Sequence, residues 1–217
     1  MFRRPYVFVS RKFRQLFKDY YKKKDIALLG DKNFVIVSNN CWGGSLYQWY
    51  NRPYNTPFVG LFICGDCFVK LLSNFEHYMS QDLQFIKETK YPLKNVTYPI
   101  GLLDDIEIHF QHYLSEDEAK IKWKRRTERM LEETNFDNYF FKISDKEQVT
   151  KNNIVEFHKL PFRNKISFSL NRCEEIPDAY HIKVEESHKN NKFCVPNGKK
   201  LFKITYLYLN LNSWLTR

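Results

Sequence analysis

The chain has 217 residues, 43% of them hydrophobic and 28% charged, and 35 Lys and Arg against 25 Asp and Glu give a formal charge of +10. This composition excludes a disordered chain, which lacks the apolar surface needed to offset the entropy lost on folding. The basic excess predicts a surface that attracts anions such as phosphates and acidic glycans. The length predicts one domain, residues 1–217, with one hydrophobic core.

Residues 1–30 are predicted to form a basic, amphipathic, helical lead-in. Ser10 is the predicted N-cap, and apolar side chains then recur at helical spacing at Phe13, Leu16, Phe17, Tyr20 and Tyr21. We expect this stripe to face the core, and the alternative is contact with an anionic membrane. Because no apolar run is long enough for a membrane span or a signal peptide, we expect a cytoplasmic protein, with peripheral contact at the inner face of the cell membrane left open.

Strands and helices are predicted to alternate through residues 31–170. Strands are expected at 34–37 and 58–63, with a helix after the second, and a strand or hairpin arm at 100–110. A capping box at Ser115 opens a helix to about Glu133, followed by a strand at 138–143, a helix at 150–160 and a strand at 165–170. The pattern predicts a layered α/β/α fold with a mixed, mostly parallel central sheet, and a less regular part at 171–217.

The segment Asn39–Gly44 follows the first predicted strand directly and is the most informative local feature. Ligands of open α/β sheets bind beside the carboxyl ends of strands. Asn39 and Asn40 would supply amide donors, and Gly43 and Gly44 would let the backbone approach a ligand closely. The alternative is a structural turn in which the same residues satisfy local backbone groups.

Cys41 is a candidate nucleophile, with His109 or His112 as its base and Asp105 as the carboxylate that orients the base. Covalent chemistry of this kind needs a thiolate beside a base that is itself held in place. The alternative is that Cys41 is a small packed thiol, a common role for a buried cysteine.

Cys64 and Cys67 have the two-residue gap of a zinc knuckle. A structural zinc site usually offers a second ligand pair at a familiar spacing, and because the sequence has none, no metal site is predicted. The five cysteines are scattered through a chain large enough to fold without disulfides. They are therefore expected to be free thiols.

Lys122, Arg125, Arg126 and Arg129 recur at helical spacing on the capped helix. Together they would clamp a phosphate or an acidic sugar, and the alternative is a solvated face partly neutralised by nearby glutamates. Trp123 is expected on the adjoining apolar side. No phosphate-binding loop, dinucleotide fingerprint or nucleic-acid reader motif occurs, so nucleic acid is not an expected partner.

Ser38–Gly44, together with Tyr47 and Thr56-Pro57-Phe58, resembles the signature of a bacterial family, the domain of unknown function nineteen-nineteen. A second set of segments resembles the middle and later parts of the same family: Leu103–Ile106, His112-Tyr113, Glu118-Ala119, Trp123, Arg125-Arg126, Leu160-Pro161 and Lys165. The resemblance covers roughly residues 30–170. The family is associated with exopolysaccharide and capsule biosynthesis, and some members carry acyltransferase labels. No established catalytic residues come with it.

The resemblance implies a sugar O-acyltransferase, or another group transferase that acts on an activated sugar or a glycan. Asn39, Asn40, Cys41 and His109 or His112 would then be catalytic, and substrate would contact Trp42, Gly43, Gly44, Tyr47, Arg125 and Arg126. The candidate donors are acyl-CoA and a nucleotide sugar. The alternative is a non-catalytic accessory that binds an acidic glycan or a membrane-bound polysaccharide synthase through its basic surfaces.

A geometric expectation follows if residues 34–37 and 100–110 belong to one sheet. The Asn39–Gly44 segment and the segment 109–112 should then converge on one concave pocket. One histidine ring nitrogen is expected within roughly 8 Å of the Asn39, Asn40 or Cys41 side chain, close enough for a bridging substrate.

Overall fold

The computed structural model describes residues 3–217, with side chains from Val9 onward. In chain order the elements are α1 (Arg3–Leu16), α2 (Lys18–Leu29), β1 (Val35–Ser38), α3 (Trp42–Tyr50), α4 (Gly65–Ser73), α5 (Phe75–Ser80), β2 (Gln84–Ile86), β3 (Ile100–Leu103), β4 (Ile106–His109), α6 (Glu116–Leu131), β5 (Tyr139–Ser144), α7 (Lys151–Lys159), β6 (Asn164–Ser169), β7 (His181–Lys183), α8 (Gly198–Thr205) and α9 (Leu211–Leu215). A short 3-10 helix at Phe136–Asn138 precedes β5. The α/β class predicted from the sequence is confirmed.

The central sheet consists of four strands in the order β1-β5-β6-β7, and all of its pairings are parallel. The sequence predicted a mixed, mostly parallel central sheet, and the observed central sheet is parallel throughout. Every residue of β1 and β5 is buried, which explains why these strands read as continuous apolar runs rather than alternating ones. The antiparallel pairings belong to a separate sheet, β2-β3-β4.

Side chains alternate between two apolar clusters on the two faces of the parallel sheet. Val35 and Val37 join a cluster built with α4 to α7 and the small sheet, whereas Ile36 and Phe140 join one built with α3, α8 and α9. Each fully buried large apolar side chain contributes roughly 1.5–3 kcal/mol relative to an exposed one. The two clusters thus hold helical layers on both sides of the sheet.

Residues 58–63 do not form the expected strand. Only Phe62 makes an isolated bridge, with His109, and Gly60 has a φ of 77°, which an extended strand cannot accommodate. Residues 100–110 form the β3–β4 hairpin, whose turn contains Asp104 at a φ of 53°. This hairpin lies in the small sheet, so residues 34–37 and 100–110 do not share a sheet as expected.

The predicted capping residue of α6 agrees with the structure, and α7 also begins at a capped residue. Ser115 Oγ accepts a hydrogen bond from the Glu118 amide at 3.1 Å at the start of α6, and Thr150 forms a capping box with Asn153 at the start of α7. The Glu118 carboxylate accepts from the Leu114 amide at 2.8 Å, one residue earlier than a standard capping box. Local polar residues therefore set where these two helices begin.

The N-terminal lead-in differs from its prediction. Ser10 lies inside α1 rather than at its N-cap, and the apolar stripe is exposed, with Phe13 at 55%, Leu16 at 79% and Tyr20 at 63% of full exposure. The inward-facing side is basic instead, because the Arg14 guanidinium packs over aromatic rings, including Tyr206 at 4.4 Å. The expectation that the stripe faces the core is wrong.

The C-terminal part is more regular than expected. It contributes the edge strand β7 and the helices α8 and α9, which pack on the same face of the sheet as α3. Trp214 of α9 and Leu201 of α8 are buried in that cluster. The last 20 residues thus complete one of the two helical layers, and α8 borders the site described next.

Candidate functional site

The candidate site lies at the carboxyl end of the parallel sheet. β1 ends at Ser38, the turn Asn39–Cys41 follows, and α3 begins at Trp42. β5 pairs with β1 in parallel and ends at Ser144, so both strand ends meet at one edge. This edge is the place where open parallel sheets bind ligands.

Gly43 and Gly44 lie within α3 rather than in a ligand-approaching turn. A Cβ on Gly43 would lie 3.0 Å from Ile36 Cγ2, and one on Gly44 would lie 3.2 Å from Val59 Cγ1. Both residues are buried and neither has a positive φ. Their small size lets α3 pack closely on β1 and on residue 59, so the expected backbone approach to substrate is replaced by helix packing.

The centre of this edge is the Lys142 side chain of β5, which is fully buried. Its Nζ donates to Ser144 Oγ at 2.8 Å, to Asn40 Oδ1 at 3.0 Å and to Asn39 Oδ1 at 3.3 Å. An ammonium has three protons, and here each has an acceptor. The Trp42 ring centroid lies 5.9 Å from the same nitrogen. We call Asn39, Asn40, Lys142 and Ser144 the Lys142 network.

Burial lowers the pKa of Lys142 from 10.5 to about 7, although the charges of Glu147, Asp145 and Cys41 act in the opposite direction. Removing an ammonium from water disfavours its charged form, and the surrounding dipoles only partly compensate. Near neutral pH this amine therefore exists in both charged and neutral forms. An amine of that kind can accept or release a proton where an exposed lysine cannot.

Asn39 and Asn40 are buried, and the network engages their side chains. Asn39 Nδ2 donates to the Ser144 carbonyl at 3.3 Å, and Asn40 Nδ2 donates to Ser144 Oγ at 3.1 Å. Asn40 Oδ1 also accepts from the Trp42 amide at 3.2 Å, which fixes the start of α3. The two amides thus orient Lys142 and the helix N-terminus, rather than presenting free donors to solvent.

Three groups at the rim remain within reach of solvent: Cys41 is half-buried, and His112 and Lys199 are exposed. Burial raises the pKa of the Cys41 thiol even though the Lys199 ammonium lowers it, so the protonated thiol dominates at neutral pH. Burial and then the Lys199 charge lower the pKa of His112, which keeps its imidazole neutral. Among the predicted catalytic groups, His112 is thus the accessible neutral base.

His109 occupies an aromatic environment. It is fully buried, its ring stacks on Phe62 with centroids 4.6 Å apart, and burial lowers its pKa to about 4, opposed by Glu107. Backbone bonds connect it towards the site, because Phe62 exchanges two 2.9 Å bonds with His109 and the Ile63 amide donates to the Asn39 carbonyl at 3.0 Å. The expected distance between a histidine ring nitrogen and the Asn39–Cys41 side chains stays a prediction.

Two residues expected to bind substrate are committed to the interior. The buried Tyr47 hydroxyl accepts from the Ile36 amide at 3.0 Å and donates to Asn55 Oδ1. Arg126 is 9% exposed and donates to the Tyr113 hydroxyl at 2.7 Å. The Tyr47 hydroxyl and Arg126 Nη1 are thus already bonded inside the protein.

The basic face of α6 is likewise not an open clamp. Lys122 is paired with Glu118, and Arg129 donates to the Tyr54 carbonyl at 2.8 Å. Of the four basic residues, Arg125 and Arg129 are exposed, and Trp123 lies in the core as expected. Lys122 is therefore paired within α6, while Arg126 and Arg129 bond to residues outside this helix.

Asp105 does not orient a catalytic histidine. It is exposed in the β3–β4 turn, where it accepts from the Tyr78 hydroxyl at 2.9 Å and pairs with Lys70. β4 starts at Ile106 and ends at His109, so Asp105 and His109 lie at opposite ends of this strand. The triad considered for Cys41 therefore lacks its carboxylate.

All five cysteines are free, as the sequence predicted. Cys67 Sγ accepts hydrogen bonds from the Tyr91 hydroxyl at 3.1 Å and the Glu107 amide at 3.3 Å, a packing role. Within residues 3–217 no group of three or more His, Cys, Asp or Glu side chains is arranged to hold a metal ion.

Sequence reasoning missed Lys142 and Ser144. Their signal was present, because a lysine stands in the apolar run Phe140-Phe141-Lys142-Ile143, which was itself predicted to be a strand. A charge on a strand buried on both faces requires partners. Those partners come from residues about 100 positions away in the chain, which no local spacing reveals.

Together, the fold and the site define a parallel α/β protein with a buried cationic network at the carboxyl edge of its sheet. The chain belongs to the family described as Domain of unknown function (DUF1919), which matches residues 12–215. The match extends well beyond the residues that carried the resemblance in the sequence.

A relative from Haemophilus influenzae (strain ATCC 51907 / DSM 11121 / KW20 / Rd), named "Uncharacterized protein", is 36% identical over 178 residues. The aligned part covers 80% of this chain and 82% of that protein. Within residues 3–217, no helix combines the length and apolar character that crossing a membrane requires.

Proposed function

We propose that this protein is an enzyme of exopolysaccharide or capsule biosynthesis that transfers a group, such as an acyl group, between an activated donor and a sugar or glycan. The observation that supports this proposal is the fully buried Lys142 amine, whose pKa is lowered by burial to about 7. Strongly perturbed lysines at the carboxyl edge of a parallel sheet are typical of functional sites.

The energetic argument concerns what such a lysine costs. Burying an ammonium carries a penalty of several kcal/mol, and an apolar side chain of similar volume would fill the same space without it. Fold stability alone therefore does not explain a lysine at this position on β5. A role for its charge, such as stabilising negative charge that develops during a reaction, does explain it.

In the proposed reaction, an acceptor sugar hydroxyl attacks the group to be transferred. The hydroxyl oxygen forms the new bond, the bond to the donor's leaving group breaks, and its electron pair departs with the leaving group. The neutral imidazole of His112 takes the hydroxyl proton. The Lys142 network holds positive charge and the N-terminus of α3 beside the negative charge that builds up.

The direct test replaces Lys142 by Met in a strain that lacks the chromosomal copy, and measures substituents on its surface polysaccharide by mass spectrometry. We expect a loss of about 100-fold or more, the effect of removing a preorganised electrostatic group. Lys165→Met is the matched control. Lys165 lies on the neighbouring strand β6, has a pKa lowered by burial, and donates to the His158 carbonyl at 2.7 Å near the end of α7.

His112→Gln provides a second variant that does not depend on refolding the interior, because His112 is exposed. It should lower substitution of the polysaccharide while leaving thermal stability unchanged. Full complementation by folded Lys142→Met and by His112→Gln would overturn the catalytic proposal.

A second role, attachment to a membrane surface, is favoured by the exposed apolar stripe of α1 and α2. Phe13, Leu16, Phe17 and Tyr20 are each about half or more exposed, and lysines surround them. An apolar stripe within a basic helix pair suits the headgroup region of an anionic lipid surface. We therefore propose that this stripe holds the protein peripherally at the inner face of the cell membrane. That location would bring the enzyme or accessory close to membrane-bound polysaccharide machinery.

Co-sedimentation with phosphatidylglycerol vesicles, against phosphatidylcholine vesicles, tests this location. Phe13→Ser combined with Leu16→Ser should lower partitioning by at least about tenfold, because two apolar side chains are lost. Ile121→Ser with Leu131→Ser is the matched control, since both residues are exposed on α6. Equal partitioning of both double variants would show that the stripe does not bind lipid.

A further inference from the structure

A cleft of about 550 Å³ lies between the first two helices, α3 and α8. One wall carries Arg11, Arg14, Lys18 and Lys22 from α1 and α2. This volume falls within the range of sites that bind small ligands. We call it the basic cleft.

The opposite wall of the basic cleft carries Lys199, Lys200 and Lys203 from α8. All three are exposed, and none forms an ion pair with another residue in the described part of the chain. No carboxylate is among the described residues that line the cleft. On the first wall Arg11 and Arg14 are paired with Glu186 and Asp25, whereas Lys18 and Lys22 have no ion-pair partner among the described residues. The lysines of the two walls repel each other across the cleft, so a bound anion would relieve an unfavourable interaction as well as add favourable ones.

Arg14 is held in place before any ligand arrives. Its Nη2 contacts Asp25 Oδ2 at 3.1 Å, and its guanidinium carbon lies 5.2 Å from the Trp49 ring centroid and 4.4 Å from that of Tyr206. A planar cation fixed between aromatic rings loses little side-chain entropy when an anion binds it. The cleft therefore has one prearranged cation, Arg14, beside its exposed lysines.

Aromatic side chains also line the cleft. Trp49 and Phe202 are half-buried, with ring centroids 6.3 Å apart, so each presents part of its surface to the cavity. Aromatic faces bind planar heterocycles by stacking. A cluster of cations next to aromatic faces matches a ligand that has both phosphates and a nucleobase, whereas a plain sugar has neither.

We propose that the basic cleft binds the nucleoside diphosphate moiety of a soluble ligand, its phosphates on the α1, α2 and α8 cations and its base against Trp49 and Phe202. Coenzyme A and nucleotide sugars share this moiety. The statement that this moiety belongs to the donor substrate rests on the proposed transfer reaction. The statement that the cleft binds a nucleoside diphosphate does not.

The cleft is adjacent to the candidate site. Lys199 lines the cleft. Burial has the largest effect on the pKa of Cys41, which it raises, and on that of His112, which it lowers; the Lys199 charge is the next largest effect and lowers both pKa values. Ser45 also lines the cleft, and its Oγ donates to the Cys41 carbonyl at 3.3 Å. A donor anchored by its phosphates near Lys199 would thus direct its reactive end towards His112.

The experiment is isothermal titration of the full-length protein with ADP, UDP, GDP, coenzyme A and pyrophosphate, and with an oligogalacturonate as an acidic glycan. We expect saturable binding of at least one nucleotide, weaker at 300 mM than at 50 mM salt because these exposed charges are screened. Lys199→Gln with Lys203→Gln should weaken it by at least about tenfold, since contacts to charged groups are lost. Lys120→Gln with Lys124→Gln, two exposed lysines of α6, is the matched control.

Each outcome decides the proposal. Coenzyme A binding better than all the diphosphates indicates acyl transfer, and a preferred nucleoside diphosphate indicates a nucleotide sugar. No nucleotide binding, binding of oligogalacturonate alone, pyrophosphate binding as tight as any nucleotide, or equal weakening in the two lysine variants would overturn it. Lys142→Met separates the two proposals, because it should bind nucleotide as the wild type does while losing polysaccharide modification. Absence of nucleotide binding to the wild type would contradict only the cleft, whereas intact modification by folded Lys142→Met that still binds nucleotide would contradict only the proposed function.

Discussion

The Lys142 network and the basic cleft place cations on opposite sides of the first turn of α8. Gly198 faces the network, because a Cβ there would lie 2.7 Å from Asn40 Oδ1, whereas Lys199 faces the cleft. In the network a single amine is dry and has three acceptors. In the cleft seven basic side chains line a cavity open to water, and two of them, Arg11 and Arg14, are paired with carboxylates.

The difference shows that burial or exposure to water gives lysine side chains different chemical properties. Desolvation lowers the pKa of Lys142 to about 7, so this amine can gain or lose a proton near neutral pH. Exposed lysines such as Lys203 act through the summed electrostatic field of the cleft, which attracts anions and is weakened by salt. The first turn of α8 thus lies between Lys142, which is suited to a reaction, and the cleft lysines, which are suited to binding an anion.

The largest expected effect comes from Gly198→Ala, which would disturb the close contact between α8 and the Lys142 network. In Gly198→Ala the new Cβ would lie 2.5 Å from the Trp42 amide nitrogen, so α8 or the start of α3 must move, at a cost of about 3 kcal/mol in the free energy of unfolding. Water should then reach the network and raise the pKa of Lys142 towards its ordinary value. Urea unfolding and NMR titration of the lysine side chains measure the two effects.

Lys199→Ala, one residue along the same turn, is the control and should change the free energy of unfolding by less than about 0.5 kcal/mol. Unchanged stability of Gly198→Ala, with an unchanged pKa at Lys142, would mean that α8 does not seal the network.

The second effect is a pH dependence of stability. The pKa of Lys142 is lowered from 10.5 in the unfolded chain to about 7 in the folded protein, so the unfolded state binds an extra proton between these values. The free energy of unfolding should therefore rise by about 2 kcal/mol between pH 7 and pH 9 in the wild type relative to Lys142→Met. The comparison with the variant removes contributions shared by the two proteins.

Denaturant titrations at several pH values give this difference directly. Parallel pH profiles of the wild type and Lys142→Met would show that the amine keeps its ordinary pKa.

The smallest effect concerns the cleft. Lys203→Gln should leave the free energy of unfolding within about 0.5 kcal/mol of the wild type, because the side chain is exposed. Removing one of several like charges should shift it towards greater stability, and added salt should reduce the shift. Thermal unfolding at low and high salt measures it. A large loss of stability would mean that Lys203 has a structural partner, and the cleft would lose a free cation.

Local sequence patterns predicted much of the fold. The strands at β1, β5 and β6 and the helices α6 and α7 follow from apolar runs and periodicity, and the capping box at Ser115 also marks the start of α6. The segment 58–63 fails as a strand because Gly60 interrupts it. The stripe of α1 misled for another reason: apolar periodicity identifies an amphipathic helix but not which side faces the protein, and here Arg14 provides the inner contact.

The sequence by itself determined the α/β class, the free thiols and the family, because these depend on composition, on period and on neighbours in the chain. Tertiary structure alone decided that Gly43 and Gly44 pack a helix, that His109 and Arg126 are buried, and that Lys142 meets Asn39 and Asn40. The physical reason is that burial and hydrogen-bond partners set a side chain's chemistry, and both come from residues far away in the sequence.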